Sequence, residues 1–228
     1  MLFEDRNDAG RRLAKALAEY KDKGCIVLAL PRGGVPIAAI VADALAASLD
    51  LLLVRKVGAP QSPELAIGAI VDGANPVVVR NPRILRITGT PDATFDKIAA
   101  RELVEIERRR GLYLQGRPPA DLEGKTVIVI DDGIATGATM QVALKSLRQR
   151  GAKELVLAVP VASRSALQML HADADRIVCL ESPEPFAAVG SFYRDFSQLE
   201  DEDVIRLLAA RSKGTPVAGP TPSGVTRG

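Results

Sequence analysis

Strand-sized runs of almost unbroken apolar residues punctuate the chain, and most are followed by a turn and a helical pattern. CIVLAL (25–30), LDLLLV (49–54), TVIVI (126–130), LVLAV (155–159) and IVCL (177–180) lack the strict alternation that a half-solvated strand would show. Runs of this kind lose both faces to packing. Strands that alternate with helices and are covered on both sides build a mainly parallel sheet with helices on both faces, an α/β fold. With 228 residues, 47% of them hydrophobic, the chain can bury one such core and carry a small appendage.

Between the strands, a helix is expected over Ala9–Tyr20, with Leu13 and Leu17 on one face and Asp5, Asn7 or Asp8 near its start. VPIAAIVADALAA (35–47) reads as the next helix. Residues 91–111 hold a charged one whose Phe95, Ile98, Leu103 and Ile106 recur near the helical period. Met140–Arg150, stopped by Gly151, and a short segment around Ser165–Leu170 complete the helices. Ala66–Val71 and Pro76–Val79 flank Asp72-Gly73-Ala74-Asn75 and suggest an antiparallel hairpin, whereas Lys56–Pro63 is rich in breakers and reads as a loop. From Lys213 the sequence KGTPVAGPTPSGVTRG has almost no large apolar side chain, so 212–228 is expected to be a disordered tail.

Composition excludes several classes. A formal net charge of +2 gives no sign of nucleic acid as a partner. No apolar run approaches the roughly 20 residues that span a bilayer, and MLFEDRNDAGRRL is acidic where a secretory signal is basic, so no membrane and a cytoplasmic setting are expected. Cys25 and Cys179 both adjoin apolar runs and read as buried small side chains, neither a bridge nor a zinc site. His171, the one histidine, reads as a helix C-terminal cap.

Chemistry concentrates in VIVIDDGIATGAT (127–139), where a buried strand runs into Asp131 and Asp132 and then into a turn of small residues. In an open α/β sheet, ligands sit beyond the carboxyl ends of the strands. Carboxylates there accept hydrogen bonds from vicinal hydroxyls or hold a hydrated divalent cation. Ala135, Thr136, Gly137, Ala138 and Thr139 enter a helix, and backbone N–H groups at a helix start favour a phosphate. Hydroxyls and a phosphate one sugar apart describe a ribose 5-phosphate; simple helix capping by the aspartates is the bland reading. No lysine stands where a Walker loop needs one, and the glycine spacing does not suit a dinucleotide. Pro31-Arg32-Gly33-Gly34 follows another buried strand, where the glycines could adopt angles closed to other residues and Arg32 could clamp a diphosphate. An ordinary strand-to-helix turn is the alternative. Arg55-Lys56, placed at the end of strand 49–54, could neutralise negative charge on a ligand or belong to a solvated loop.

VIVIDDGIATGAT resembles the phosphoribosyl diphosphate motif of type I phosphoribosyltransferases, with the other motifs in family order over roughly residues 5–200. The resemblance implies a Rossmann-like domain over 1–211, with a helical insertion at about 80–118 and a variable hood at about 182–196. It implies that Asp131 and Asp132 contact the ribose hydroxyls and, through water, Mg²⁺; that Ala135–Thr139 wrap the 5-phosphate; and that Arg32, Gly33 and Gly34 form a pyrophosphate loop, often with a strained or cis peptide. Arg55 and Lys56 would face the leaving group, and Gly58–Glu64 would be the loop that closes, with Glu64 acting on the acceptor or capping a strand. Asp131, Asp132, Arg32 and Lys56 are thus the expected catalytic set. The implied activity transfers 5-phosphoribosyl from phosphoribosyl diphosphate to a nitrogen acceptor such as a nucleobase, in a homodimer; the alternative is a donor- or nucleotide-binding regulator with little transfer. Ala135 stands where hypoxanthine- and guanine-type members carry an aspartate, which argues against those bases. Phe186, Phe192 and Tyr193 could stack on an acceptor and Asp195 could help place a metal-bound diphosphate, or the aromatics could be core. Arg101, Arg108, Arg109 and Arg110 read as a solvated helical face, or as a dimer or phosphate contact.

Overall fold

A computed structural model describes residues 2–73 and 75–212, so the expected tail lies outside the described residues apart from its first position. Five parallel strands form the central sheet: β1 (Ile26–Ala29), β2 (Ser48–Leu51), β6 (Thr126–Ile130), β7 (Glu154–Val161) and β8 (Arg176–Glu181). They lie in the order β2-β1-β6-β7-β8. Three further strands, β3 (Val54–Ala59), β4 (Ser62–Val71) and β5 (Val77–Arg80), make a separate antiparallel sheet.

The apolar runs have the cause expected of them. Val27, Ala29, Ile128, Ile130, Val156 and Ala158 enter one core, shared with α1 (Arg6–Ala16), α2 (Gly34–Leu45) and α7 (Asp201–Ser212). Their neighbours Ile26, Leu28, Val127, Val129, Leu155 and Leu157 enter a second core beneath α5 (Ala138–Gln149) and α6 (Arg164–Leu170). Successive strand residues point to opposite faces, so a sheet covered on both sides requires apolar residues at every position. The α/β architecture is the one expected.

Several boundaries differ. The first helix begins at Arg6, where the Asp5 carboxylate accepts the Asp8 N–H, and ends at Ala16; a turn of 3₁₀ helix then covers Ala18–Tyr20. Lys56–Pro63 is not a loop. β3 and β4 pair from Val54↔Val71 to Ala59↔Ser62, which leaves only Pro60 and Gln61 as the turn. Gly58 and the prolines mislead here because they serve the hairpin's irregular end: a Cβ at Gly58 would sit 2.3 Å from the Pro63 carbonyl oxygen. The insertion holds α3 (Pro82–Thr88) as well as α4 (Asp92–Leu114), and α7 follows the hood. Both cysteines are free, and His171 is the C-terminal cap of α6. Among the described residues no helix is long and apolar enough to cross a membrane.

A buried ionic cluster ties the two sheets together. Asp50 and Asp72 are 5% and 2% exposed. The Asp72 carboxylate accepts the Leu53 N–H at 2.8 Å and pairs with Arg110, while Asp50 accepts the Ala120 N–H at 2.8 Å and lies 3.6 Å from the same guanidinium. Arg150 reaches the carbonyls of Asp72 and Ala120. Burial raises the Asp72 pKa, and Arg110 pulls it back. Arg110 therefore corrects the solvated-face reading, which does describe Arg108 and Arg109 on their common partner Glu105. Removing one partner of a buried pair typically costs about 3–5 kcal/mol because the other charge stays buried. Arg110→Met is accordingly expected to lose about 3–5 kcal/mol in urea melts at neutral pH; a loss below about 1 kcal/mol would show that the cluster is not what joins the sheets.

Candidate active site

The strand order reverses between β1 and β6, and ligand crevices in open α/β sheets form at that switch point. The turn after β1 and the turn after β6 face each other there. Leu30 N–H donates to the Ile130 carbonyl at 2.9 Å, extending the parallel pairing to the mouth of the crevice. Beyond it the Pro31–Arg32 peptide is cis. Gly33 has φ −60° and ψ −37°, an ordinary helical conformation, so the expectation that these glycines supply unusual angles is corrected. Close approach is what they supply. A Cβ at Gly33 would lie 1.9 Å from Asp132 Oδ2, and one at Gly34 would lie 2.6 Å from the Ile130 carbonyl oxygen. Only bare backbone fits against the acidic end of β6.

Asp131 and Asp132 are both partly buried, and the Asp131 carboxylate accepts the Asp132 N–H at 2.9 Å. Burial, then the charge of Asp132, raises the Asp131 pKa well above the usual carboxylate range. Burial also raises that of Asp132, with Arg6 opposing it. Arg6 donates through Nε (3.0 Å) and pairs through Nη2 (2.9 Å), both with Asp132 Oδ2; its Nη1 donates to the Ser197 carbonyl. Its guanidinium lies 3.9 Å above the Phe196 ring. Arg6 was missed in the sequence. The available signal was a cation at the first residue of a helix, where the macrodipole disfavours positive charge unless a carboxylate is near.

Beyond the aspartates, Ile134 pairs with Ala162 and Gly137 adopts φ 80° as the cap of α5. The N-terminal turn of α5, whose first N–H groups have no partner inside the helix, borders a cavity of about 230 Å³. Its walls are Asp131, residues 133–137, Thr139, Met140 and Val189. A neighbouring cavity of about 400 Å³ is bounded by Ala135, Thr136, Ser163, Arg164, Glu184 and Phe186, among others. The structure thus brings Asp131 together with Ala135, Thr136, Gly137 and Thr139 around one concavity, with Asp132 at Gly33 beside it, whereas Ala138 lines a separate cavity beside the β3–β5 sheet.

The cations are arranged differently from expectation. Arg55 and Lys56 lie inside β3 and are adjacent in sequence, so they point to opposite faces. Arg55 pairs with Glu102 of α4, whereas Lys56 pairs with Glu64 at 2.6 Å and borders a cavity shared with Ala138 and Thr139. Arg32 lies 3.0 Å from Glu200 and 3.7 Å from Asp201, two acidic residues at the start of α7 that sequence reasoning did not connect with it.

In the expected hood region, the rings of Phe186 and Phe192 pack against each other in a tilted arrangement with centroids 5.0 Å apart. Tyr193 is buried between Phe3 and Phe196, and its hydroxyl donates to the Asp132 carbonyl at 2.6 Å. Tyr193 is therefore a core support for the acidic turn and not free to stack on a ligand. The N-terminal segment also pairs with residues 192–195, which was unforeseen in the sequence: Phe3 bridges Tyr193, the Phe3 N–H donates to the Phe192 carbonyl, and the Arg194 and Asp195 N–H groups donate to the carbonyls of Phe3 and Glu4. The Asp195 carboxylate is engaged by Ser197. Among the described residues no group of three or more His, Cys, Asp or Glu is placed to hold a metal ion.

The raised pKa of Asp131 has a sign that can be checked. Below the usual carboxylate range the group is protonated whether the chain is folded or not. As pH rises from there to the shifted value, stability falls, and above it the cost of the buried charge is constant. Asp131→Asn is therefore expected to stabilise the protein by about 1 kcal/mol at pH 7, with the gain shrinking toward zero near pH 4. Thermal melts of both proteins across that range provide the check; a pH-independent difference would contradict the assignment.

Comparison with known proteins fits this geometry. The phosphoribosyl transferase domain family matches residues 3–197. Putative phosphoribosyl transferases from two strains of Mycobacterium tuberculosis are 44% identical over 218 residues, which is 96% of this chain. The chain spans about half the length of these curated relatives, 49%. The crystal structure of TT1426 from Thermus thermophilus is similar at a TM-score of 0.80 and 44% identity, covering 92% of this chain and 99% of that one.

Proposed function

Because the chain belongs to the phosphoribosyl transferase domain family, we propose that residues 1–211 form a transferase unit that moves 5-phosphoribosyl from phosphoribosyl diphosphate to a nitrogen acceptor such as a nucleobase. The observation that carries this reading is the pair Asp131 and Asp132 beside the α5 phosphate turn, both at the switch point of the sheet. The N–H groups of Ala135–Thr139 and the two threonine hydroxyls bind the 5-phosphate. That binding, remote from the reacting carbon, aligns the sugar. Asp131 and Asp132 accept the ribose hydroxyls. The backbone of Arg32–Gly34 turns toward the diphosphate, and Arg32 exchanges Glu200 for it. Lys56 adds a second positive group at the leaving end. The acceptor nitrogen displaces pyrophosphate at the anomeric carbon, from the cavity between Ser163, Arg164 and Phe186.

Mg²⁺ suits this donor set. Arg6 pairs directly with Asp132 and acts on the half-buried Asp131 only through space; hard oxygen ligands with incompletely compensated charge are what a divalent cation offsets. Asp131 and Asp132 would hold it through water. When bound, it would supply charge neutralisation for the diphosphate. A homodimer and a cytoplasmic setting belong to the same proposal and rest on the family likeness. Ala135 presents a methyl group to the acceptor cavity, which supports acceptors other than hypoxanthine and guanine.

Pyrophosphate release, measured with the donor, Mg²⁺ and a panel of nucleobases and other nitrogen acceptors, tests the proposal. Release that depends on one acceptor class is expected, with Lys56→Ala lowering turnover by about two orders of magnitude. Donor binding with no acceptor-dependent release across the panel would replace transfer by a donor-sensing role.

A further inference from the structure

Asp131 and Asp132 are neighbours in sequence, yet the structure treats their carboxylates unequally. The Asp131 carboxylate accepts the backbone N–H of Asp132, and Asp131 borders the cavity at the start of α5. Asp132 is gripped at both ends. Its carbonyl accepts the Tyr193 hydroxyl at 2.6 Å, and its Oδ2 meets Nε and Nη2 of Arg6 at 3.0 and 2.9 Å. The same oxygen lies 1.9 Å from where a Cβ on Gly33 would stand. Oδ2 is thus committed, and Oδ1 is the oxygen left to accept a hydroxyl from a ligand.

Arg6 is itself held from another side. Its Nη1 donates to the Ser197 carbonyl at 2.9 Å, and its guanidinium carbon lies 3.9 Å from the centroid of the Phe196 ring. Phe196 in turn packs against Tyr193, with centroids 5.0 Å apart. The Arg6 and Asp132 side chains are 12% and 14% exposed, so salt does little to screen the pair. A planar fork with three nitrogens engaged fixes direction as well as charge, which an ammonium on a flexible stem does not. We propose that Arg6 is a positioning residue for the donor: it acts through Asp132, holding that carboxylate in the orientation that offers Oδ1 to a ribose hydroxyl. The inference rests on the transfer reading in taking that hydroxyl as what Asp132 meets. Supporting partners of this kind, where measured behind metal ligands, set affinity by about 10- to 100-fold.

The test is a double-mutant cycle read by calorimetric binding of phosphoribosyl diphosphate with Mg²⁺. It compares the parent, Arg6→Met, Asp132→Asn and the double variant, each checked for folding by thermal melting. Arg6→Met is expected to weaken the donor about tenfold or more in the parent background. In the Asp132→Asn background the same change is expected to cost about threefold or less, because its effect runs through that carboxylate. A brace that only joined α1 to the sheet would leave affinity unchanged in a folded protein, and a general loss of positive charge would cost the same in both backgrounds. Should Arg6→Met fail to fold, the same cycle with Arg6→Lys, which keeps the charge and loses the fork, decides on the same criterion. The inference is overturned by a folded Arg6 variant that binds as the parent does, or by equal losses in the two backgrounds. A parent that binds no donor would instead sink the transfer reading, and this inference with it.

Discussion

Two carboxylates are held at the end of a buried strand with too little positive charge around them, and the surrounding structure is organised by that constraint. Asp131 and Asp132 sit where water is scarce, and burial pushes both pKa values up. Arg6, anchored on Phe196 and the Ser197 carbonyl, compensates one of them. The facing turn can come close only because Gly33 and Gly34 have no side chains. Tyr193 holds the Asp132 carbonyl from the hood, so the N- and C-terminal segments both brace the same few atoms. Holding two carboxylates half-buried costs folding energy, and a ligand that brought hydroxyls and countercharge, as proposed, would offset that cost.

How much of this was legible depended on whether the signal was local. The central sheet was readable because packing on both faces forces an uninterrupted apolar run, and β1, β6 and β7 have one. The acidic turn and the helix that follows it were readable because strand, carboxylates and glycine cap are consecutive. The partners of that turn were not. Arg6 is 126 positions from Asp132, Tyr193 is 61 away, and Glu200 lies 168 from Arg32. No periodicity links such pairs.

The antiparallel sheet shows a different kind of error. Gly58, Pro60 and Pro63 look like a loop, yet a hairpin can absorb all three at an irregular end with a two-residue turn. Once Arg55 and Lys56 are placed in a strand, alternation separates them: one side chain holds α4, the other borders the cavity beside α5. Arg110 was similarly hidden. Its neighbours Arg108 and Arg109 do lie on a solvated face, but a helix turns about 100° per residue and carries the third arginine inward to Asp72. α4 thereby connects the ionic cluster that joins the two sheets to Glu102, the partner of Arg55.

The central claim is that Asp131 and Asp132 hold the sugar of a phosphoribosyl donor. The most direct measurement is calorimetric binding of phosphoribosyl diphosphate with Mg²⁺ to the parent protein and to an Asp131→Asn, Asp132→Asn double variant, with folding verified by melting. The account predicts that the double variant keeps its fold and binds the donor about 100-fold or more weakly, as expected when hydrogen bonds to charged groups are lost together. Donor affinity unchanged in a folded double variant would contradict it.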